Sequence, residues 1–262
     1  LNGAVRAFGV FENDIVAGGW FTMASGQAAN RVARWDGATW SALGDGVNGP
    51  VYAIQEVGGS LAVAGDFTSV GGQSAMHIAT WNGVAWSAWG TGLLDVPEAL
   101  AVYKGSLVAG GQMWNGSTWT TLGSGPDMLV YAMLVVDGDL IAGGCQVIGI
   151  HCYPRVKRWD GVAWAVIGSL PSPANGSDVR ALTMYQDKLA LGGSTFGMTS
   201  NVYQWMGGGW TPLGNAPIWI WAYTLTPFEG NLVAGGETLG APGYSGIWRW
   251  DRTTWKPLGA GV

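Results

Sequence analysis

Two cysteines and a histidine lie close together in this chain, and their residue types point most directly to chemistry. Cys145 and Cys152 are the only cysteines, and His151 precedes the second. The ends of an antiparallel hairpin come close enough to be bridged, so we expect a Cys145–Cys152 disulfide, which implies an oxidising compartment. A metal site formed by Cys145, His151 and Cys152 is the alternative, but it lacks a further ligand at suitable spacing. We therefore predict a disulfide, no metal and no cofactor.

Other groupings that could carry catalysis are sparse. The only histidines are His77 and His151, and no Ser–His–Asp arrangement is recognisable around either. His77 takes the repeat position that Arg31 holds elsewhere, so we expect it on a solvated strand edge. Most carboxylates, Asp36 and Asp160 among them, stand in turn-forming segments, which accounts for them without chemistry. The sequence therefore predicts that the protein is not an enzyme.

Six side chains of varied type occupy one position of a recurring segment, V-x-A-[L/I/M/F]. The second residue of that segment is Arg6, Tyr52, Glu98, Tyr131, Arg180 or Trp221. Its neighbours are small or aliphatic, and strand alternation turns the second side chain away from the layer in which they pack. Polar and aromatic groups at such a position favour a binding site. The alternative is that they pair with one another, for instance Arg6 or Arg180 with Glu98.

Five tryptophans lie outside any recurring frame: Trp20, Trp89, Trp219, Trp221 and Trp248. An exposed indole can stack on the face of a sugar while flanking polar groups bind the hydroxyls. A cluster of them can equally form an interface with another domain. We predict that Trp20, Trp219, Trp221 and Trp248 take part in ligand binding, and local packing is the remaining interpretation.

The elements that must position these residues are short strands in a sixfold repeat. The frame W-[D/N]-G-x-x-W occurs at Trp35, Trp81, Trp114 and Trp159, and looser copies begin at Trp205 and Trp250. Strand-like segments rich in β-branched and aromatic residues precede each copy, and Asp-Gly or Asn-Gly suits a tight two-residue hairpin. A sixfold repeat of this period predicts an all-β, six-bladed β-propeller of four-stranded antiparallel blades. We expect the twelve frame tryptophans to hold blade to blade.

The repeat divides residues 1–262 into one six-bladed propeller domain. Its blades span approximately residues 1–46, 47–92, 93–125, 126–170, 171–215 and 216–262. Within each blade we name the strands A to D in chain order. Blade 3 has almost no residues between Gly111 and Trp114, so its B–C connection is predicted to be deleted and the blade shortened. The six varied side chains would then meet at the mouth of a central channel.

The repeat resembles the kelch repeat, in which a double glycine ends one strand and an aromatic residue and a tryptophan follow. The double glycines are Gly18-Gly19, Gly110-Gly111, Gly143-Gly144, Gly192-Gly193 and Gly235-Gly236, while Gly65-Asp66 departs by one residue. Tryptophan replaces the usual first tyrosine. The chain also resembles the Gly/Trp-rich propellers of large secreted bacterial proteins. The resemblance implies the fold; kelch-like propellers include binding modules, structural proteins and copper oxidases.

Composition narrows the function further. The formal net charge is −5, which argues against binding to nucleic acid or to an anionic membrane. Gly, Asn and Asp interrupt every apolar run before it reaches the length of a membrane span, so we expect no insertion into a membrane. The histidine and cysteine count does not supply the ligands of a copper oxidase. We therefore predict a non-catalytic module, extracellular or at the cell surface, that binds a glycan or an extracellular protein. The alternative is a structural domain of a larger chain or assembly, such as a filament, stalk or adhesin.

Overall fold

The computed structural model describes residues 1–170, 177–194, 201–214, 219–239 and 246–258; at residues 219, 220, 238 and 239 it describes the backbone alone. This part of the chain is built from strands, and it contains no helix that could cross a membrane. The chain divides into two compact units, Leu1–Gly125 and Pro126–Val262, which hold three blades each.

The first unit contains blades 1 to 3, each a four-stranded antiparallel sheet. Blades 1 and 2 also carry a small two-stranded hairpin in the B–C loop, formed by β3 and β4 and by β9 and β10. The strands are β1 (Val5–Phe11), β2 (Asp14–Gly19), β3 (Met23–Ala24), β4 (Gln27–Ala28), β5 (Val32–Trp35), β6 (Trp40–Ala42), β7 (Val51–Val57), β8 (Ser60–Gly65), β9 (Ser69–Val70), β10 (Gln73–Ser74), β11 (Ile78–Trp81), β12 (Trp86–Ala88), β13 (Leu100–Tyr103), β14 (Ser106–Ala109), β15 (Gln112–Trp114) and β16 (Trp119–Thr121).

The second unit contains blades 4 to 6, again with four antiparallel strands in each. The strands are β17 (Leu129–Val136), β18 (Asp139–Ile148), β19 (His151–Trp159), β20 (Trp164–Val166), β21 (Asp178–Tyr185), β22 (Lys188–Ser194), β23 (Val202–Trp205), β24 (Trp210–Pro212), β25 (Trp219–Phe228), β26 (Asn231–Leu239), β27 (Gly246–Trp250) and β28 (Trp255–Pro257). The predicted all-β, six-bladed propeller of four-stranded blades is therefore confirmed.

Blade 3 is the shortened blade. Its strands B and C, β14 and β15, are joined by Gly110 and Gly111 alone, and Ala109 pairs directly with Gln112. Both glycines have positive φ, 58° and 104°, which this tight reversal requires. The predicted deletion of the B–C connection is present, and the blade still forms its four strands.

The two tryptophans of each frame face each other across the C–D hairpin. Trp35 pairs with Trp40, and inside this pair the backbone N–H of Asp36 donates to the carbonyl oxygen of Thr39 at 3.4 Å. The innermost loop therefore has two residues, Gly37 and Ala38, rather than the Asp-Gly that was expected there. The Oδ1 atom of Asp36 accepts hydrogen bonds from the backbone N–H groups of Ala38 and Thr39, both 2.8 Å long. An aspartate or asparagine side chain thus closes the turn from outside the loop that it precedes.

Adjacent blades within each unit are joined by the second tryptophan of the frame. The indole Nε1 of Trp86 in blade 2 donates a 2.7 Å hydrogen bond to the carbonyl oxygen of Leu43 in blade 1. Gly44, next to that carbonyl, has φ +57°, and a Cβ there would lie 2.7 Å from Cζ3 of Trp81. Equivalent bonds join Trp119 to Trp89, Trp210 to Ile167 and Trp255 to Leu213. The tryptophans therefore hold blade to blade, as predicted.

The double glycine accommodates a β-bulge in strand A. Val5 pairs with Gly19 and Ala7 with Gly18, so Arg6 between them is the bulged residue. A Cβ on Gly19 would collide with the carbonyl oxygen of Ala4, which is why this position takes glycine. In blade 2 the glycine facing the bulge is Gly65, opposite Val51. The repeat therefore reads Ala64-Gly65 there, and the alignment of Gly65-Asp66 with the double glycine was wrong.

Candidate functional site

The bulge places one side chain of each full blade at an equivalent position. Arg6, Tyr52, Tyr131 and Arg180 are the bulged residues of blades 1, 2, 4 and 5, as the sequence alignment predicted. In blade 6 the bulge lies between Ala222 and Thr224, so the equivalent residue is Tyr223 and the assignment of Trp221 was wrong. The pairing of Ala222 with Gly236 sets this register, since the second glycine must face the residue before the bulge.

Three of the predicted residues come together in the first unit. Tyr52 is half-buried, and burial is the main cause that raises the pKa of its phenol. The negative charges of Asp66 and Glu98 raise the pKa of Tyr52 further, and the positive charge of Arg6 opposes them. The phenol is therefore held protonated at neutral pH, as a hydrogen-bond donor among charged neighbours. Arg6 is exposed and Glu98 half-buried.

Trp20 adds an exposed aromatic ring to this group. Its side chain is 50% exposed, and its ring centroid lies 6.3 Å from that of Tyr52 at an interplanar angle of 47°. Its backbone is held on both sides, because its N–H donates to the carbonyl oxygen of Ala4 at 2.8 Å and its own carbonyl accepts from the guanidinium of Arg31. Trp20 and Tyr52, together with Arg6, Asp66 and Glu98, form what we call the aromatic surface of the first unit.

The corresponding residues of the second unit pair with one another. The guanidinium carbon of Arg180 lies 3.8 Å from the ring centroid of Tyr131, a cation–π contact. Arg180 Nε also donates to Asp178 Oδ2 at 2.6 Å, and Asp178 Oδ1 accepts from the hydroxyl of Ser194 at 2.7 Å. Arg180 thus contacts both Tyr131 and Asp178. This agrees with the alternative interpretation of the sequence, in which the six varied side chains interact with one another instead of forming a ligand-binding site.

The remaining predicted tryptophans do not form one exposed cluster. Trp248 is 4% exposed and packs in the core of the second unit, so its prediction as an exposed ligand-binding residue was wrong. It stands two residues before Trp250, on the same inward side of β27 as the frame tryptophan. Trp221 is half-buried and contacts Tyr223, with 6.4 Å between ring centroids. The side chain of Trp219 lies outside the described part of the chain.

The position directly after the double glycine is a second one at which the residue type varies between blades. The sequence pattern was not used to align Trp20 with the residues at this position in the other blades. Trp20 and Asp66 are equivalent there, because each donates its backbone N–H to the carbonyl before the bulge, Ala4 or Pro50. Ser194 follows Gly193 in the same way in blade 5. The signal was available, since the residue after each double glycine varies in the sequence while the glycines recur.

The disulfide prediction is confirmed. Cys145 and Cys152 are bonded, with Cα atoms 5.5 Å apart, on the adjacent strands β18 and β19. Cys145 is fully buried and Cys152 half-buried. Both sulfur atoms are used in the bond, so neither is available as a thiolate ligand for the alternative metal site. Among the described residues no group of three or more His, Cys, Asp or Glu side chains is arranged to hold a metal ion.

His77 also differs from expectation. It is buried rather than solvated, and its Nδ1 lies 3.2 Å from the carbonyl oxygen of Gly65. Its backbone has φ 63°, and Arg31 at the same position of blade 1 has φ 69°. Both residues donate their N–H to the carbonyl of a buried phenylalanine, Phe21 or Phe67, which returns the B–C loop to strand C. The location of His77 is therefore determined by the backbone hydrogen bond at the end of the B–C loop, and not by exposure of its side chain to solvent.

The fold and the aromatic surface define a β-propeller with a candidate recognition surface, and comparison with known proteins supports the fold. No family model matches the chain, and no curated protein matches it. Among solved structures the chain is similar to YjhT, with a TM-score of 0.64, 13% identity and 93% of each chain covered. It is also similar to the β-propeller domain of Cps50 (Swd1) from Myceliophteria thermophila, with a TM-score of 0.53, 12% identity, and 90% of this chain and 82% of that chain covered. At such identities the likeness concerns the fold, and the kelch resemblance stays a prediction.

Proposed function

We propose that this protein is a non-catalytic extracellular recognition module that binds a glycan on the aromatic surface of its first unit. The observation that carries the proposal is the exposed ring of Trp20, held beside Tyr52 with 6.3 Å between ring centroids. An indole that is half exposed and fixed through its backbone offers a flat apolar face to the C–H groups of a sugar ring. Because the backbone is already held, little conformational entropy is lost when a ligand binds.

The groups around the indole suit the hydroxyls of the same sugar. The protonated phenol of Tyr52 can donate a hydrogen bond, and the carboxylates of Asp66 and Glu98 can accept. Arg6 balances part of their negative charge. The aromatic surface therefore combines one stacking ring with donors and acceptors, the arrangement that sugar recognition requires.

Three observations support the extracellular, non-catalytic part of the proposal. The Cys145–Cys152 disulfide suits an oxidising compartment, because cytosolic thiols are kept reduced. The carboxylates Asp36, Asp160 and Asp251 accept hydrogen bonds that close the C–D turns, which gives them a structural role. His77 has a structural role in its B–C loop.

A glycan-array screen of the intact protein tests the proposal, with Trp20→Ala as the diagnostic variant. Phe228→Ala is the matched control, since Phe228 is another exposed aromatic residue, 56% exposed, and lies in blade 6. We expect glycans bound by the wild type to be bound by Phe228→Ala and lost by Trp20→Ala, with all three proteins folded by circular dichroism. A silent array together with a large particle in light scattering would contradict recognition and favour a building block of a larger assembly.

A further inference from the structure

The B–C loops of blades 1 and 2 enclose a polar cleft beside the aromatic surface. Its volume is about 550 Å³, within the ~300–1,000 Å³ range of small-molecule sites. One wall comes from the blade 1 loop, the other from the β9–β10 hairpin, and the linker that joins blades 1 and 2 forms the floor. Its polar side chains include Asn30, Arg31, Asp45 and Ser69, and Gly71 and Gly72 also line it. Gly46 in the floor must be glycine, because a Cβ there would collide with the carbonyl oxygen of Asn30.

Both walls are held by the same clamp. In blade 1 the side-chain oxygen of Asn2 accepts from the backbone N–H groups of Thr22 and Met23 at 2.8 and 2.9 Å. In blade 2 Asn48 accepts from Thr68 and Ser69 at the same two distances. Each asparagine also donates its amide to the threonine hydroxyl, at 3.0 and 2.9 Å. The two loops are therefore fixed copies of one structure rather than free segments.

The floor is tied to both walls. Asn30 Nδ2 donates to the carbonyl oxygen of Asp45 at 3.0 Å, and the N–H of Val47 donates to the carbonyl oxygen of Asn30 at 3.1 Å. On the other side the N–H of Asn48 donates to the carbonyl oxygen of Ser69 at 3.2 Å. The cleft is thus formed before any ligand arrives, which lowers the entropic cost of binding.

The chemistry of the lining indicates an uncharged ligand rich in hydroxyl groups. Its formal charges are one guanidinium, from Arg31, and one carboxylate, from Asp45, which cancel. The carboxylate accepts hydrogen bonds, the guanidinium donates them, and the hydroxyl of Ser69 can do both. A strongly anionic or cationic ligand would find no excess of opposite charge here, whereas a sugar ring presents both donors and acceptors.

Arg31 connects this cleft with the aromatic surface. Its guanidinium donates to the carbonyl oxygen of Trp20, and the residue is also part of the lining of the cleft. The two sites therefore share one residue and lie on the same side of blades 1 and 2, where strands A begin and strands B end. A ligand whose first unit stacks on Trp20 can extend towards the cleft.

We propose that the polar cleft binds a second, neutral sugar unit of the glycan whose first unit stacks on Trp20. The inference rests on the proposed function, because the aromatic surface supplies the first unit. Asp45 accepts hydrogen bonds from the hydroxyls of the second unit, and Ser69 and Arg31 donate to its oxygens. Blade 3 lacks a B–C loop, so within the first unit of the protein the pair of blades 1 and 2 alone forms such a cleft.

Calorimetric titration of the intact protein with sugars of increasing length tests this proposal. The probes are three neutral pairs: glucose with cellobiose, galactose with lactose, and N-acetylglucosamine with chitobiose. Asp45→Ala and Ser69→Ala alter the cleft, and Asp95→Ala is the control, because Asp95 is an exposed aspartate of the next interblade linker, outside the cleft. Trp20→Ala tests the aromatic surface in the same titrations.

We expect a disaccharide to bind about tenfold more tightly than its monosaccharide. Asp45→Ala should remove about that factor while monosaccharide binding persists, because it removes the hydrogen bonds that a charged group makes to the second unit. Asp95→Ala should change neither. If Trp20→Ala abolishes binding but Asp45→Ala and Ser69→Ala leave the disaccharide unaffected, the cleft proposal is overturned and the proposed function stands. If the cleft variants weaken binding and Trp20→Ala does not, the proposed function fails. Absence of binding by all six sugars overturns the cleft proposal.

Discussion

At the scale of individual residues, the side chain of one aspartate or asparagine closes the C–D turn in five of the blades. Asp36, Asn82, Asn115, Asp160 and Asp251 each accept hydrogen bonds from the backbone N–H groups two and three residues ahead. The N–H groups of Ala163 and Val162 lower the pKa of Asp160, and those of Thr39 and Ala38 lower the pKa of Asp36. For Asp251 the largest cause of its lowered pKa is Lys256. Asparagine makes the same bonds without a charge, so the turn needs the oxygen rather than the ionisation.

The pH dependence of stability follows from these carboxylates. A lowered pKa in the folded state means that the stabilisation is present above the unfolded-state pKa, about 3.9, and is lost as the pH falls through the lower folded-state value. We expect the double variant Asp36→Asn/Asp160→Asn to lose less stability than the wild type between pH 7 and pH 3, measured by urea denaturation. The reverse change, Asn82→Asp, should add to the acid sensitivity. Parallel pH profiles for all three proteins would contradict this account.

Within each unit, the C–D hairpin of the frame joins one blade to the next, and its two tryptophans have different roles. In blade 2 the Nε1 of Trp86 bonds to the Leu43 carbonyl, whereas the buried Nε1 of Trp81 has no hydrogen-bond partner among the described residues. Both side chains are 8% exposed, and their ring centroids are 5.3 Å apart. A comparison of variants at Trp81 and Trp86 can therefore separate the effect of the interblade hydrogen bond on stability from the effect of aromatic packing.

Replacing each of these two tryptophans by phenylalanine measures that hydrogen bond. Both variants lose a similar ring area, but Trp86→Phe also leaves a buried carbonyl without its donor, which costs about 1–3 kcal/mol. We expect Trp86→Phe to lower the free energy of unfolding by about that much more than Trp81→Phe, as measured by chemical denaturation. Equal losses would mean that packing alone joins these blades.

Register within an element was only partly predictable from the sequence. The recurring tryptophans and glycines predict six blades, four strands in each and the shortened blade 3. In blade 6, however, Ile220-Trp221-Ala222 imitates the V-x-A segment two residues too early. The strand pairing, and the collision that a Cβ on Gly236 would have with the Trp221 carbonyl, locate the bulge. Trp248 could have been recognised as buried from its spacing of two from Trp250.

The candidate site was less predictable than the blades. Trp20 and Tyr52 were predicted separately, but their contact joins a residue that follows strand B of blade 1 to a residue in strand A of blade 2, and the repeat pattern does not show which residues of neighbouring blades meet. The clamps of Asn2 and Asn48 are signalled by Asn-Gly before strand A and Phe-Thr after strand B, and the pattern is confined to blades 1 and 2. Because this pattern occurs only twice, it is hard to recognise in a sequence that is dominated by the sixfold blade repeat.

Charge is the property that belongs to the whole molecule. With 17 acidic and 12 basic residues the chain carries a formal net charge of −5, and basic residues form no run along it. Binding to nucleic acid or to an anionic membrane depends on concentrated positive charge that releases counterions. The balance of charge in the polar cleft agrees with this, because Arg31 there is matched by Asp45.

We therefore expect no association of the protein with polyanions. Fluorescence anisotropy with labelled double-stranded DNA, and sedimentation with vesicles containing phosphatidylserine, should show no binding at 50 mM salt, where electrostatic attraction is strongest. Binding that weakens steeply as salt is added would contradict the prediction and would require a positive surface that the sequence does not reveal.

The direct junction of strands B and C in blade 3 has a consequence for how such a chain can diversify. Gly110 and Gly111 show that a blade closes with no loop at all, and the loops of blades 1 and 2 bring their own buried phenylalanine and their own asparagine clamp. Each loop is therefore held by a phenylalanine of its own and by one asparagine that precedes strand A, and blade 3 forms its four strands without such a loop. If the B–C loop of blade 1 replaced the direct junction of strands B and C in blade 3, and an asparagine were placed before strand A, blade 3 would carry a loop that could line a further binding site.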